Sequence, residues 1–374
     1  MPFDHKSPPV IPRSGATLRS VAALVEAGAV APDAAGLLEA VSRSFAVGVS
    51  STMLAAMRPG DPLDPIARQF VPAPEELEEA AGELADPIGD DAHSPVEGIV
   101  HRYPDRVLLK PIHVCPVYCR FCFRREVVGP GSETLSPAAL AAAIDYIRAD
   151  AGIGEVILSG GDPLMLSPRR LSEIVAALTA IPHVGVIRLH TRVPVAAPER
   201  VTDGLVAALD TEKAVYVVLH CNHADEFGEA AAMACRRIVR AGIPMLSQSV
   251  LLRGVNDDAE TMAALLRTLV RHRIKPYYLH HADLARGTAH FRTTIAEGQA
   301  LMRALRGDVS GLCQPTYVLD IPGGHGKVPI GPDYLAPTDG ALIDIGSCDG
   351  PESWIVRDPA GTPHGYPPAP IAKK

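Results

Sequence analysis

The segment His113-Val114-Cys115-Pro116-Val117-Tyr118-Cys119-Arg120-Phe121-Cys122-Phe123-Arg124-Arg125 carries three cysteines in the spacing Cys-x3-Cys-x2-Cys. Three thiolates can ligate three irons of a four-iron, four-sulfur cluster and leave the fourth iron without a protein ligand. An open metal position is where a metal does chemistry rather than structural work. A structural zinc site closes its shell with a fourth Cys or His at short spacing, and only His113 lies nearby, so zinc is the weaker reading and none is expected. Disulfides are disfavoured too. The chain has seven cysteines, and Cys221, Cys235, Cys313 and Cys348 are scattered. Residues 1–20 contain Asp4, Pro8, Pro9 and Pro12 and no apolar run, so nothing there resembles a secretory signal. A reducing, cytoplasmic compartment is expected.

Three further segments have the residue types for chemistry. Ser159-Gly160-Gly161-Asp162-Pro163 holds two glycines, which let a ligand approach the backbone. Exposed amides there can hold the amino-acid portion of a cofactor, although by itself the motif reads first as a tight turn. Asp320-Ile321-Pro322-Gly323-Gly324-His325-Gly326-Lys327-Val328-Pro329 holds a lysine among glycines. It is not a P-loop, because Val328 stands where Ser or Thr should follow the lysine. A lysine on a loop at a barrel mouth can form a Schiff base with pyridoxal 5′-phosphate (PLP). Among the seven lysines, Lys6, Lys373 and Lys374 lie at the chain ends, Lys213 and Lys275 precede strands, and Lys110 lies within one. Lys327 is left by elimination. Finally, Arg102-Tyr103-Pro104-Asp105-Arg106 could grip a phosphate through charge-assisted hydrogen bonds, or be a surface ion cluster.

The elements that must position these residues alternate. Strands are expected at 106–111, 155–158, 184–189, 215–219, 244–252 and 276–279. Helices are expected at 136–150, 167–180, 199–209, 226–241 and 259–273, two of them opened by Ser-Pro. Short strands alternating with helices of ten to fifteen residues imply βαβ units and a parallel sheet of the α/β class. Six repeats suffice for a partial barrel, and an open doubly wound sheet fits the same pattern. In both, chemistry sits at the carboxyl ends of strands, where each motif falls. Residues 16–57 and 74–84 read as helical. The expected organisation is an N-terminal, mainly helical segment over 1–95, a core over 96–310, and a C-terminal lysine loop and tail over 311–374.

Composition is ordinary for a globular chain, with 47% hydrophobic and 21% charged residues. The net charge, 35 − 43 = −8, argues against nonspecific nucleic-acid binding. No run of 18 uncharged apolar residues is present, so no membrane span is expected.

Together and in this order, the motifs resemble lysine 2,3-aminomutase and its relatives, radical S-adenosylmethionine (SAM) enzymes that also use PLP. The resemblance runs from about Asp64 to Tyr334. It includes Asp64-Pro65-Ile66 with Gln69, His93-Ser94-Pro95, His101 through Leu108, the cysteine loop, the Gly-Gly segment, Asn222-His223, residues 248–254, Pro276-Tyr277-Tyr278, His290-Phe291-Arg292-Thr293 and the lysine loop. It implies a partial (β/α)6 TIM-like barrel of the radical SAM type, with an N-terminal helical segment and a C-terminal extension. It implies a [4Fe-4S] cluster on Cys115, Cys119 and Cys122, and PLP on Lys327 with its phosphate held by Arg102, Tyr103 and Arg106. SAM would be held by Ser159, Gly160, Gly161, Asp162, His220 and Gln248. The substrate carboxylate would pair with Arg124, and a distal ammonium with Asp283 and Asp320. The implied reaction is conversion of L-lysine to L-β-lysine by radical 1,2-amino migration, started by an external one-electron reductant of flavodoxin or ferredoxin type.

A long substrate ending in an ammonium needs anionic partners once desolvated, so the presence of both aspartates favours lysine over glutamate. Arginine also wants carboxylates and is the nearer alternative. A further branch supplies β-lysine for modification of translation elongation factor P. That branch lacks an aspartate at the Asp320 position, so Asp320 and the glycine loop point to free lysine. The family's best-known member has a Cys-x-Cys-x2-Cys zinc tail, whereas only Cys348 follows Cys313 here. No zinc is therefore expected, and a homo-oligomer is possible. His325 and Ala285-Arg286 also depart from the family pattern.

Overall fold

A computed structural model describes residues 16–58, 60–61, 63–129, 134–337, 354–359 and 361–366 of the chain. At the N-terminal end, β1 (Thr17–Leu18) pairs antiparallel with β2 (Val49–Ser50). Around them lie α1 (Val21–Glu26), α2 (Ala35–Ser44), α3 (Ser51–Ala56) and α4 (Pro65–Phe70). The run 16–57 is thus three short helices. Gly28, at φ 73°, follows α1, and the Ser50 side chain caps α3 by accepting from the Met53 N–H. Leu24, Met53, Ile66 and Phe70 form a core of their own, which also takes in Val117 from the cysteine loop. The stretch 74–84, read as helical, is a single 3-10 turn at Pro74–Leu77. There Glu76 points inward, and its carboxylate accepts from the Ala73 N–H at 2.8 Å and from two buried arginines.

The barrel follows. Its strands are β3 (Ile99–Tyr103), β4 (Arg106–Ile112), β5 (Glu155–Gly160), β6 (Val186–Thr191), β7 (Ala214–His220), β8 (Met245–Leu251), β9 (Ile274–His281), β10 (Thr316–Asp320) and β11 (Lys327–Pro329). The connecting helices are α5 (Pro137–Ala149), α6 (Pro168–Thr179), α7 (Val193–Ala196), α8 (Asp203–Ala207), α9 (Glu229–Arg240), α10 (Ala259–Arg271) and α11 (Ile295–Leu305). Ser136 and Ser167 cap α5 and α6, each followed by proline at the first helical position. Asp258 caps α10 by accepting from the Thr261 N–H at 2.9 Å. Strand order in the sheet follows chain order. Pairing is parallel from β4 to β10 and antiparallel at both edges. The helices cover the outer face, where Ile147, Leu158, Leu171, Leu189, Leu219 and Leu269 belong to one continuous core.

The six expected repeats are present. A seventh parallel strand, β10, joins them and carries the sheet past residue 310. It is only five residues long, between a 3-10 turn at Gly311–Cys313 and the glycine loop. The edge strands β3 and β11 share no backbone ladder, yet the Tyr103 hydroxyl accepts from the Lys327 N–H at 2.8 Å. A sheet whose first and last strands meet in this way is curled into a partial barrel. A small antiparallel sheet of β12 (Leu335–Pro337), β13 (Trp354–Arg357) and β14 (Pro363–Tyr366) follows. Cys348 lies outside the described residues. No helix among the described residues is long and apolar enough to cross a membrane.

Candidate active site

The cysteine loop follows β4 and is bolted down by the arginines interleaved with its cysteines. Arg120 is fully buried and donates from Nε to both oxygens of Glu76, at 2.8 and 3.0 Å, and from Nη1 to the Ala46 carbonyl at 2.6 Å. Arg125 also pairs with Glu76 and reaches the Arg286 and Gly287 carbonyls at 3.2 and 3.0 Å. A second network lies behind Cys119. Arg192 donates to Gln69 at 2.7 Å and Glu226 at 2.5 Å, and Glu226 accepts from the Asn222 and His223 N–H groups. Gln69 and Asn222, singled out in the sequence, work here as buried supports of the loop.

Cys115, Cys119 and Cys122 are half-buried and unbridged. Burial pushes all three thiols up, Cys119 to about 12, and the neighbouring cysteines raise Cys115 and Cys119 further. Among the described residues no group of three or more His, Cys, Asp or Glu side chains is already arranged around a metal position; the three thiols share one loop, and thiolate ligation there would need the positive charge that a metal cluster brings.

The Gly-Gly turn serves this loop. A Cβ on Gly161 would lie 2.5 Å from the His113 carbonyl carbon and the Val114 oxygen, and Gly160 adopts φ 98°. The Gly161 and Asp162 N–H groups donate to Ile112 and Val114 at 2.7 and 2.9 Å. Those amides, expected to face a cofactor, are therefore taken by the cysteine loop. The buried Asp162 carboxylate is likewise saturated. It accepts from the Thr191 hydroxyl at 2.7 Å and from the Leu164, Arg192 and Val193 N–H groups at 3.0, 2.6 and 3.1 Å.

A cavity of about 490 Å³ fills the barrel interior. It is lined by Arg102, Tyr103, Arg106, Arg124, Ser159, His220, Gln248, Asp283, Asp320 and Lys327. The cysteines, Gly160, Gly161 and Asp162 are not among its lining residues. The inward faces of the strands add His190 on β6 and His280 on β9, which the sequence reading passed over, and Tyr278 on β9, which it named without a role. Gln248 Nε2 lies 3.2 Å from His190 Nδ1 and 2.6 Å from His220 Nε2. An amide nitrogen only donates, so both rings accept there and carry their proton on the other nitrogen. Burial keeps both neutral, His220 near 3 and His190 well below the usual range. The signal that would have found them is a histidine or tyrosine at an inward strand position, which is readable only once the direction of each strand's faces is known.

At one end of the cavity Lys327 Nζ pairs with the Asp320 carboxylate. It also lies 3.3 Å from His280 Nδ1 and 5.5 Å from the Tyr278 ring centre. Burial would raise Asp320, but the hydrogen bond from His280 and the Lys327 charge outweigh it and hold the carboxyl well below the usual range. Asp283 has no such partner among the described residues, and burial, with Asp320 nearby, lifts it to about 7. Arg106 stacks 3.8 Å from the Tyr103 ring centre and pairs with Asp105 at 2.7 Å. Arg102 lines the cavity, and its buried Nε has no hydrogen-bond partner among the described residues.

This curled parallel sheet with a three-cysteine loop after its first parallel strand defines a class. The Radical SAM superfamily model matches residues 109–266, and members of that superfamily use SAM with a [4Fe-4S] cluster. The Lysine-2,3-aminomutase model matches residues 302–341, the lysine loop and its surroundings. L-lysine 2,3-aminomutase of Clostridium subterminale is 43% identical over 293 residues, 78% of this chain and 70% of that protein. A putative L-lysine 2,3-aminomutase of Aquifex aeolicus is 41% identical, covering 79% of this chain and 80% of its own. Glutamate 2,3-aminomutase of Clostridioides difficile is 36% identical, covering 86% and 76%. The chain belongs to the lysine 2,3-aminomutase family of radical SAM proteins.

Replacing Gly161 by Ala forces the start of the cysteine loop to move, at a cost of about 1–3 kcal/mol in stability. The variant is expected to retain less iron and sulfide per chain than wild type after anaerobic reconstitution. Equal iron content and an unchanged denaturation midpoint would show that the close approach does not matter.

Proposed function

We propose that this protein is an L-lysine 2,3-aminomutase, moving the amino group of L-lysine from C2 to C3 to give L-β-lysine. The observation that carries this reading is the charge layout of one cavity. Arg124 stands on the cysteine loop, while Asp283 and Asp320 lie with Lys327 on the carboxyl side of β9 and β10. Lysine offers the complement, a carboxylate at one end and an ammonium at the other. Cys115, Cys119 and Cys122 would hold the cluster, with Ser159, His220 and Gln248 as the cavity-facing contacts for SAM. Arg102, Tyr103 and Arg106 would hold the PLP phosphate, and Lys327 its aldehyde. When bound, the cluster and SAM supply a carbon radical able to take a hydrogen from C3, and PLP supplies an aldehyde to carry the migrating amine.

The chain's own groups do the rest. Arg124 fixes the substrate carboxylate and so sets which carbon faces the cluster loop. Asp320 already holds an ammonium, that of Lys327, and exchanging it for a substrate ammonium keeps the buried carboxylate paired. The distal carboxylate of glutamate would meet two aspartates here, which is repulsive. Reduction falls to an external one-electron donor of flavodoxin or ferredoxin type, and the cytoplasm suits its unbridged cysteines.

The test is anaerobic incubation of the reconstituted, reduced protein with SAM, PLP and separately lysine, arginine and glutamate. β-Lysine is the expected product, absent in Lys327→Ala, whereas β-glutamate or β-arginine alone would overturn the assignment. The pH profile gives a second test. Asp283 near 7 is largely protonated below that pH and must lose its proton to pair with an ammonium. For lysine, kcat/KM should therefore rise with pH, by up to roughly tenfold per unit below pH 7, and level off above it. Asp283→Asn should lower kcat/KM and flatten that limb. An unchanged slope in the variant would remove Asp283 from substrate binding.

A further inference from the structure

One carboxylate that the sequence reading passed over touches two of the arginines in the cavity wall. Asp90 is 6% exposed and lies in a strap, residues 86–93, that crosses from the N-terminal segment to β3. Its Oδ2 accepts from Arg124 Nε at 2.7 Å and its Oδ1 from Arg102 Nη2 at 3.3 Å. The same Arg102 nitrogen donates to the Ile88 carbonyl at 2.5 Å. Burial opposes ionisation of Asp90, but the Arg124 charge and hydrogen bond hold its carboxyl below the ordinary value. The carboxylate is thus ionised and shared between two guanidinium groups.

Which donors it uses is as informative as its presence. On Arg124 it takes Nε, Nη1 has only a 3.3 Å contact to the Ser159 hydroxyl, and Nη2 has no partner among the described residues. The two terminal nitrogens form the fork that recognises a carboxylate bidentately. On Arg102 it takes Nη2 and leaves the buried Nε without a partner. Each arginine is therefore gripped on one side and keeps donors free in a residue that lines the cavity.

The strap that carries Asp90 is itself fixed. The Asp86 carboxylate accepts from the Asp90 and Asp91 N–H groups at 2.9 and 2.8 Å. The Gly323 N–H of the lysine loop donates to the Pro87 carbonyl at 3.3 Å. Gly89 sits so close that a Cβ there would lie 2.7 Å from Gly323 and Gly324 backbone atoms. One short segment thus touches the Arg102 site, the Arg124 site and the loop of Lys327.

We propose that Asp90 is a positioning residue that orients Arg124 toward the substrate carboxylate and Arg102 toward the cofactor phosphate, so that both anion sites are set by one carboxylate on the strap. This rests on the aminomutase reading for the identity of the two anions. Removing Asp90 frees both guanidiniums to turn, which weakens binding of each anion while the reacting groups stay in place.

The experiment uses the cluster-reconstituted protein with Asp90→Ala and Asp90→Asn, the latter keeping an oxygen acceptor in nearly the same volume. PLP affinity is read by fluorescence titration without SAM or lysine, and kcat and KM for lysine are read separately. For Asp90→Ala, the PLP Kd and the lysine KM should each rise about tenfold, the loss of one charged hydrogen bond, with kcat changing far less. Asp90→Asn should give smaller rises in both. In an Arg124→Ala background, Asp90→Ala should raise KM no further, because the two act as a unit. The proposal is overturned if the PLP Kd and KM of both variants match wild type, if kcat falls with KM unchanged, or if the Arg124 and Asp90 effects on KM multiply. A wild-type protein that binds PLP but makes no β-lysine would instead count against the aminomutase reading, with the PLP titration still deciding the Arg102 half.

Discussion

A sheet open at both edges encloses a cavity only if something brings those edges together. Here a hydrogen bond from the Lys327 N–H to the Tyr103 hydroxyl joins the last strand to the first. It carries chemistry as well as closure. Tyr103 belongs to the segment with the unmet Arg102 donor, and Lys327 is the one lysine on the glycine loop. Closing the barrel therefore puts Arg102, Tyr103 and Lys327 in the wall of one cavity. Gly326 adopts φ 97°, a conformation that favours glycine, while a Cβ there would meet the Tyr103 ring only at ordinary contact distance.

The opposite wall depends on buried ions. Glu76 holds Arg120 and Arg125, and Glu226 holds Arg192, in both cases around the cysteine loop. Buried ion pairs add little net stability, because desolvation offsets most of their attraction, yet breaking one leaves an uncompensated charge worth about 3–5 kcal/mol. What they provide is geometry. A cysteine loop fastened by two arginines cannot drift when one electron and several ligands pass through the site. Arg124, the third arginine of the loop, is left facing the cavity. There the Asp90 carboxylate holds the Arg124 Nε, and among the described residues Arg124 Nη2 has no partner.

Much of this was legible in the residues. The cysteine spacing, the six strand–helix repeats and the Ser-Pro helix starts are local patterns, and local patterns survive folding. Lys327 was reachable by elimination, since other lysines fall at ends or on strands. Glu76 and Asp90 were not, because their partners lie 44 to 49 and 12 to 34 residues away and only the fold joins them. Asp162 shows a different limit. Its type and place suggested a ligand contact, but its carboxylate turns into the sheet and caps the start of α7. β10 escaped notice because five residues between two turns carry too little periodicity. His190 and His280 stood among other polar residues of their strands, and their inward direction follows only once the sheet is known to curl.

The proposed place of Lys327 as the PLP lysine at this seam is most directly tested by loading the protein with PLP, reducing it with borohydride and mapping the modified peptide by mass spectrometry. The adduct should fall on the peptide containing Lys327 and disappear in Lys327→Ala. An adduct on Lys110 or spread over surface lysines, unchanged in that variant, would contradict the central role given to the seam between β3 and β11.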